Sequence, residues 1–352
     1  MKVRPSIRLF RSCILLFSLF LTLTGCANEQ KTPPKKPYFN FVTTNHLFGV
    51  DYVDNKNAWV VGFNSSIFHT SDGGMTWDQQ KSNVAFNLCD VNFVNQNTGW
   101  ISGRVGTILH TKDSGRTWIK QDSGTPNHLF AVCFIDNLYG WAVGDFGTIV
   151  HTSDGGKTWQ NQGRGEDRIY NDVYFTDRHN GWIAAEYGLL YHTQDGGKNW
   201  KLQECKDIMP VFDETEWETF PPSLYSIFFI DSKRGWATGM DGTIIATEDG
   251  GNLWKKISNP VEASKITLYK INAINKYGWV IGQKGTYLYS QDMGMTWDSK
   301  SQLTNTKFWL RDMDFCDELC GFAVGSRGTI LKTEDGGKNW EMLSGIPLSG
   351  RP

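Results

Sequence analysis

Ser71-Asp72-Gly73-Gly74-Met75-Thr76-Trp77 is the first of seven copies of one phrase: an acidic residue, a glycine step and a closing tryptophan. The later copies close on Trp118, Trp159, Trp200, Trp254, Trp297 and Trp340, so the closing tryptophans stand 41, 41, 41, 54, 43 and 43 residues apart. A period of about 40 residues marks a chain built from repeated supersecondary units, and it governs the reading of every other motif.

Working outward, each unit carries a second phrase upstream, as in Gly99-Trp100-Ile101-Ser102-Gly103 running on to Gly106-Thr107-Ile108-Leu109-His110-Thr111. Before that comes an alternating run such as Leu129-Phe130-Ala131-Val132-Cys133-Phe134. β-Branched and aromatic residues at period two, broken by Asp, Asn and Gly, predict four short strands per unit and no helix of useful length. Sheets stacked face to face around a ring protect their edges, so seven units predict an all-β, seven-bladed propeller. In each blade the alternating run is strand A, the Gly-Trp pair opens B, the Gly-Thr-Ile segment is C, and D starts at the final tryptophan.

The acidic phrase is then the C–D turn. Its carboxylates, Asp72, Asp113, Asp154, Asp195, Asp249, Asp292 and Asp335, are expected to accept turn N–H groups, while glycines such as Gly73 and Gly74 take positive φ. Thirteen of the fifteen tryptophans sit at the two repeat positions and are expected to wedge between blades.

At these residues the chain resembles two known groups. The heptapeptides are similar to the bacterial neuraminidase repeat, or Asp box, of sialidases and other propellers. Joined to the Gly-Trp and Gly-Thr-Ile phrases, they resemble the photosystem II stability and assembly factor-like family of seven-bladed propellers. That resemblance runs from about Leu47 to Trp340. It implies a scaffold that binds a newly made photosystem II reaction-centre subunit or its precursor, with no cofactor and no catalysis.

The N-terminus bounds location. Lys2, Arg4, Arg8 and Arg11 precede eleven largely apolar residues, Cys13 to Leu23, which suits a signal peptide and is too short to span a bilayer. Leu23-Thr24-Gly25-Cys26 resembles the lipobox of bacterial lipoproteins, which implies removal of residues 1–25 and lipidation of Cys26. Ala27 resembles the outer-membrane sorting pattern of hosts with two membranes. Residues 26–37, rich in Lys and Pro, read as an extended tether, and 38–352 as the propeller. Tyr38 to Val42 is a candidate extra strand at the ring's closure.

Without the four basic residues of the signal, 31 basic residues face 37 acidic ones, which argues against nucleic acid as a partner. Cys316 and Cys320, in the A–B loop of blade 7, are candidates for a local disulfide; Cys89 and Cys133 fall in A strands and read as small buried residues. His69, His110, His151 and His192 precede the threonine of strand C in four successive blades. Equivalent positions in stacked sheets lie about 10 Å apart, whereas a zinc ligand lies about 2 Å from its ion. They read as repeat residues, and no metal site is expected.

Function is expected on the face where the repeat varies, that of the B–C turns and D–A connections. Its candidate partner-binding residues are Arg104, Asp145, Glu186, Asp241, Lys284 and Arg327 in successive B–C turns, with Trp309 and Phe308 before strand A of blade 7. The 54-residue interval places an acidic and aromatic insertion at about 205–222 between blades 4 and 5, carrying Trp217. Long loops on a rigid ring with aromatic anchors predict a protein-binding surface. A carbohydrate-binding propeller using Trp217, Trp309, Asp145 and Glu186 is the alternative. A sialidase-like hydrolase is the remoter one, since the mature chain has nine arginines and no Arg-Ile-Pro segment. No nucleophile elbow, metal motif or phosphate loop occurs.

Overall fold

The alternating runs, Gly-Trp pairs and Gly-Thr-Ile segments form the strands their periodicity predicts. The computed structural model describes residues 42–209 and 220–347, which make seven four-stranded antiparallel sheets, each from one continuous stretch. In blade 3 the strands are Leu129–Phe134, Gly140–Gly144, Ile149–Thr152 and Gln160–Asn161, hydrogen-bonded in that order. Helix among the described residues is limited to 3-10 turns of three or four residues. The signal, Cys26, the tether and Trp217 lie outside the described residues.

The innermost strands pack side by side in a closed cycle, Leu310–Phe315 of blade 7 meeting Leu47–Tyr52 of blade 1. Seven apolar clusters fill the seven seams, so the core lies between sheets. At most seams the B-strand tryptophan is the wedge. Trp141 stacks on Phe175 of blade 4 at 3.5 Å and donates its Nε1 hydrogen to Gly196 O, in the Asp box of that blade, at 3.1 Å. Its other face carries His151 at 4.9 Å. Trp59, Trp100 and Trp182 repeat this sandwich with His69, His110 and His192. Those four histidines are thus distributed one to a blade as stacking partners. Burial lowers the pKa of each, that of His110 to about 4.

The inner strands also present N–H groups that need acceptors. Polar side chains of strand A supply them across the seams: Asp90 Oδ2 accepts from Val132 N at 2.9 Å, Asn92 Oδ1 from Phe134 N at 2.8 Å and Asp172 Oδ2 from Ile227 N at 3.0 Å. Closure uses the same device, Asp312 and Asp314 accepting from Val50 N and Tyr52 N at 2.7 and 2.8 Å. The candidate closing strand, Tyr38 to Val42, lies almost wholly outside the described residues. Val42 is in no strand; it packs on the apolar cluster of the 7/1 seam.

The Asp boxes form the lower face. In blade 3, Thr158 N and Thr152 Oγ1 donate to Asp154 Oδ1 at 2.9 Å, and Thr158 Oγ1 donates to Oδ2 at 2.7 Å. Gly156 N donates to Thr152 Oγ1 at 2.8 Å, closing the turn. Partial burial would raise the Asp154 pKa; these hydrogen bonds outweigh it and hold the carboxyl below the usual range.

Candidate binding face

The upper face is set by two repeated devices. The first is the B–C turn, in which one residue and usually a following glycine both take positive φ. The residue at the tip is Asn64, Val105, Phe146, Tyr187, Asp241, Lys284 or Arg327, all with φ between 53 and 57°. Glycine follows because the D–A connection crosses directly behind: a Cβ on Gly106 would stand 1.8 Å from Thr125 O. The six turn residues expected from the sequence therefore occupy two different positions. Arg104, Asp145 and Glu186 precede the tip in blades 2 to 4, whereas Asp241, Lys284 and Arg327 are tips in blades 5 to 7. The tip ring itself is apolar or aromatic over blades 2 to 4 and charged over blades 5 to 7. Asp145 also has a structural task, accepting from His128 N at 2.7 Å.

The second device is a bulge after the first residue of every strand A, seen as a register shift against strand B in all seven blades. Bulge residues Phe48, Cys89, Phe130, Asn171, Tyr225, Tyr269 and Arg311 line the channel. The Arg311 guanidinium lies 5.0 Å from the Tyr269 ring and 5.6 Å from that of Tyr225. Next along the strands, Asp90, Asp172, Lys270 and Asp312 form a charged layer, with Lys270 Nζ 3.2 Å from Asp312 Oδ1. Burial raises the Asp90 carboxyl, Lys270 opposes this and Asp312 adds to it, leaving Asp90 at about 7. The space left there is about 30 Å³, room for little more than water.

Beside the mouth, Trp309 stacks on Phe48 at 6.2 Å with an interplanar angle of 8°, and packs against His46 at 5.2 Å in a tilted arrangement. The Arg327 guanidinium covers Phe308 at 4.7 Å. Trp309, Phe308 and Arg327 are thus brought together, with His46, Phe48 and Arg311 added by the fold. Arg104, Asp145, Glu186 and Asp241 stand on other blades of the same face.

The described ends of the insertion are more structural than expected. Cys205 is fully buried and Ile208 is 8% exposed, both packed with Trp182 and Leu224 in the 4/5 seam. Phe220 is exposed and lies against Tyr187, whose ring also carries Arg168 at 5.3 Å. Cys316 N donates to Cys320 O at 3.1 Å across the A–B turn of blade 7, and both thiols are free. Among the described residues no group of three or more His, Cys, Asp or Glu side chains could hold a metal ion.

These features define a seven-bladed Asp-box propeller with a uniform lower face, a constricted channel and a varied aromatic and cationic upper face. The profile of the family described as photosynthesis system II assembly factor YCF48 matches residues 34–125, 117–213 and 209–307, and the chain belongs to that family. Two curated relatives, the photosystem II assembly lipoproteins Ycf48 of Prochlorococcus marinus strains NATL2A and SARG, are each 31% identical, over 83 and 75 residues. The matched stretches span 22 and 20% of this chain and only 25 and 22% of those relatives. Among solved structures, YCF48 bound to a D1 peptide superposes with a TM-score of 0.68 at 22% identity, covering 83% of this chain and 93% of that one. YCF48 from Cyanidioschyzon merolae gives 0.67 at 18% identity, covering 84 and 97%. A GH74 xyloglucanase from Xanthomonas campestris also gives 0.67, at 12% identity, covering 87% of this chain and 55% of that one.

Proposed function

We propose that the protein is an extracytoplasmic scaffold, lipid-anchored through Cys26, that holds a segment of a membrane or extracytoplasmic protein on its upper face during assembly. The photosystem II reaction centre is the first partner class to test. One observation carries this reading: the cluster of His46, Phe48, Trp309, Phe308, Arg327 and Arg311 at the channel mouth. Aromatic and guanidinium groups supply much of the binding energy at protein interfaces. The backbones of Phe48 and Arg311 are fixed by bulges and that of Arg327 by a tight turn, which lowers the ordering cost of a complex. The D1 peptide carried by a relative of the same fold supports a polypeptide ligand. A holding role requires no catalytic group.

The test is capture from detergent-solubilised membranes of the source organism by the full-length protein, beside a Trp309→Ala, Arg327→Ala variant, together with titration of a fluorescent D1 peptide. A membrane protein retained by the native chain and lost by the variant supports the scaffold. Equal retention by both removes the mouth as the binding site. An unbound D1 peptide removes the photosystem reading, and retention of glycans in place of protein makes the carbohydrate-binding alternative correct.

A further inference from the structure

We infer that the upper face is the side turned toward the membrane, with its exposed phenylalanines seated in the lipid headgroup layer; this rests on the proposed anchor at Cys26. The first observation is the course of residues 43–46. Thr43 O crosses behind the B–C turn of blade 7, 1.8 Å from where a Cβ on Gly328 would stand. His46 Nδ1 accepts from Arg327 N at 3.2 Å, and Asn45 Nδ2 donates to Ser66 Oγ in the B–C turn of blade 1 at 3.0 Å. Residues 43–46 thus take the place of a D–A connection at the upper face.

Fifteen residues, 27–41, separate Cys26 from Val42. Fully extended they span about 50 Å, while a six-residue strand is about 20 Å long. The tether therefore lets either face reach the bilayer, and surface chemistry must select between them.

The second observation makes that selection. All four large aromatic side chains exposed among the described residues, Phe63, Phe86, Phe146 and Phe220 at 40, 41, 59 and 63%, lie in upper-face turns and connections, joined there by Val105, Ile169 and Met240. Exposed large apolar residues of the lower face are Met75, Leu138, Leu253, Met295 and Leu319, none of them aromatic. Exposed Phe side chains insert shallowly at the boundary of headgroups and acyl chains, which adds to a single lipid anchor that alone holds only marginally. The lower face also carries the seven Asp-box carboxylates, held charged by their turn hydrogen bonds and all of one sign, whereas the charged turn residues of the upper face, such as Arg104, Asp145, Lys284 and Arg327, are of both signs. Ionised groups resist leaving water.

The third observation is conformational. Val105 and Phe146 are tips at φ of 55 and 53°, a region costly for L residues and worst for a β-branched one. The turn holds them there with their side chains 39 and 59% exposed. A face so arranged would deliver the mouth cluster to segments emerging from the bilayer.

The experiment uses lipidated full-length protein on vesicles of phosphatidylethanolamine and phosphatidylglycerol containing a headgroup nitroxide lipid. Phe146→Cys, Phe86→Cys and Met75→Cys variants each carry an environment-sensitive maleimide dye. The native thiols of the ring are at least partly buried and their pKa values raised, Cys89, Cys133 and Cys316 to about 12, so the added exposed thiol reacts first. At least twofold stronger quenching at positions 146 and 86 than at 75 is expected. Equal quenching, or stronger quenching at 75, on chains whose intact mass includes the acyl groups overturns the orientation and leaves the anchor standing. Chains without acyl mass overturn the anchor and the inference together. Position 86, in a connection rather than a strained turn, provides the reading if Phe146→Cys disturbs its turn.

Discussion

The lower and upper faces of this ring are made by the same seven units and obey opposite rules. On the lower face every C–D turn repeats one hydrogen-bond pattern, the strand-C hydroxyl donating to the Asp-box carboxylate in all seven blades. On the upper face the backbone repeats equally well, with seven tips at the same φ, while the side chains change from Asn64 to Phe146 to Arg327. Uniform side chains mark what closes the turns and seams; a uniform backbone with varied side chains marks a platform for recognition.

Trp141→Ala gives the largest expected separation of the two faces. It removes a stacked, fully buried indole and its bond to Gly196, and should cost about 3–5 kcal/mol in denaturant unfolding. Partner capture per folded molecule should be unchanged. A loss below about 1 kcal/mol would show that the seams do not depend on this wedge.

Asp154→Ala removes three hydrogen bonds from one lower turn and is expected to cost about 1–3 kcal/mol, again with capture intact. Unchanged stability would mean that the Asp box is not a structural turn.

The stacked histidines add a pH term. Their folded pKa values lie below the unfolded value of about 6.5, so both states are neutral above that pH and the histidines contribute no slope. As pH falls from about 6.5 toward 4, the unfolded chain binds protons that the folded ring refuses, and stability drops. Asp90 and Asp172, whose carboxyls are raised chiefly by burial, act in the opposite sense within that window. The comparison is therefore with a variant carrying His69→Gln, His110→Gln, His151→Gln and His192→Gln, whose Tm should fall less between pH 7 and pH 5. An equal fall in both proteins would assign the acid sensitivity elsewhere.

The smallest expected effect has the opposite sign. Val105→Asn places at an upper tip a residue that tolerates positive φ, and should raise stability by about 0.5–1 kcal/mol. A loss of stability would mean that the Val105 side chain contributes more packing than the turn costs.

The fold was legible because its signals are local and repeated. Asp72 through Asp335 and the thirteen repeat tryptophans mark the turns and wedges without reference to any distant residue. The glutamines that brace the seams carry a local signal of the same kind. Gln80, Gln121, Gln162 and Gln203 each follow a box tryptophan by three residues, and each donates to a backbone carbonyl in the next blade's Asp box. The upper face was read in part. Trp309, Phe308 and Arg327 share the expected face and the fold brings them together, but the turn charges fall at two positions, since a four-residue turn does not disclose which residue takes positive φ. Cys205 and Ile208, expected in a binding insertion, belong to a seam because they pack on Trp182 and Leu224, which are remote in sequence.

By itself the sequence determined the number of blades, their strands and the chemistry of the lower turns, because strand period, turn propensity and the seven-fold phrase are properties of short stretches of chain. Only the tertiary structure decided which residues bulge into the channel, that Arg311 lies over Tyr225 and Tyr269, that Asp312 and Asp314 close the ring, and that residues 43–46 run behind the B–C turn of blade 7. Each of these depends on the register between a strand and a neighbour brought beside it by closure, and no local pattern encodes that register.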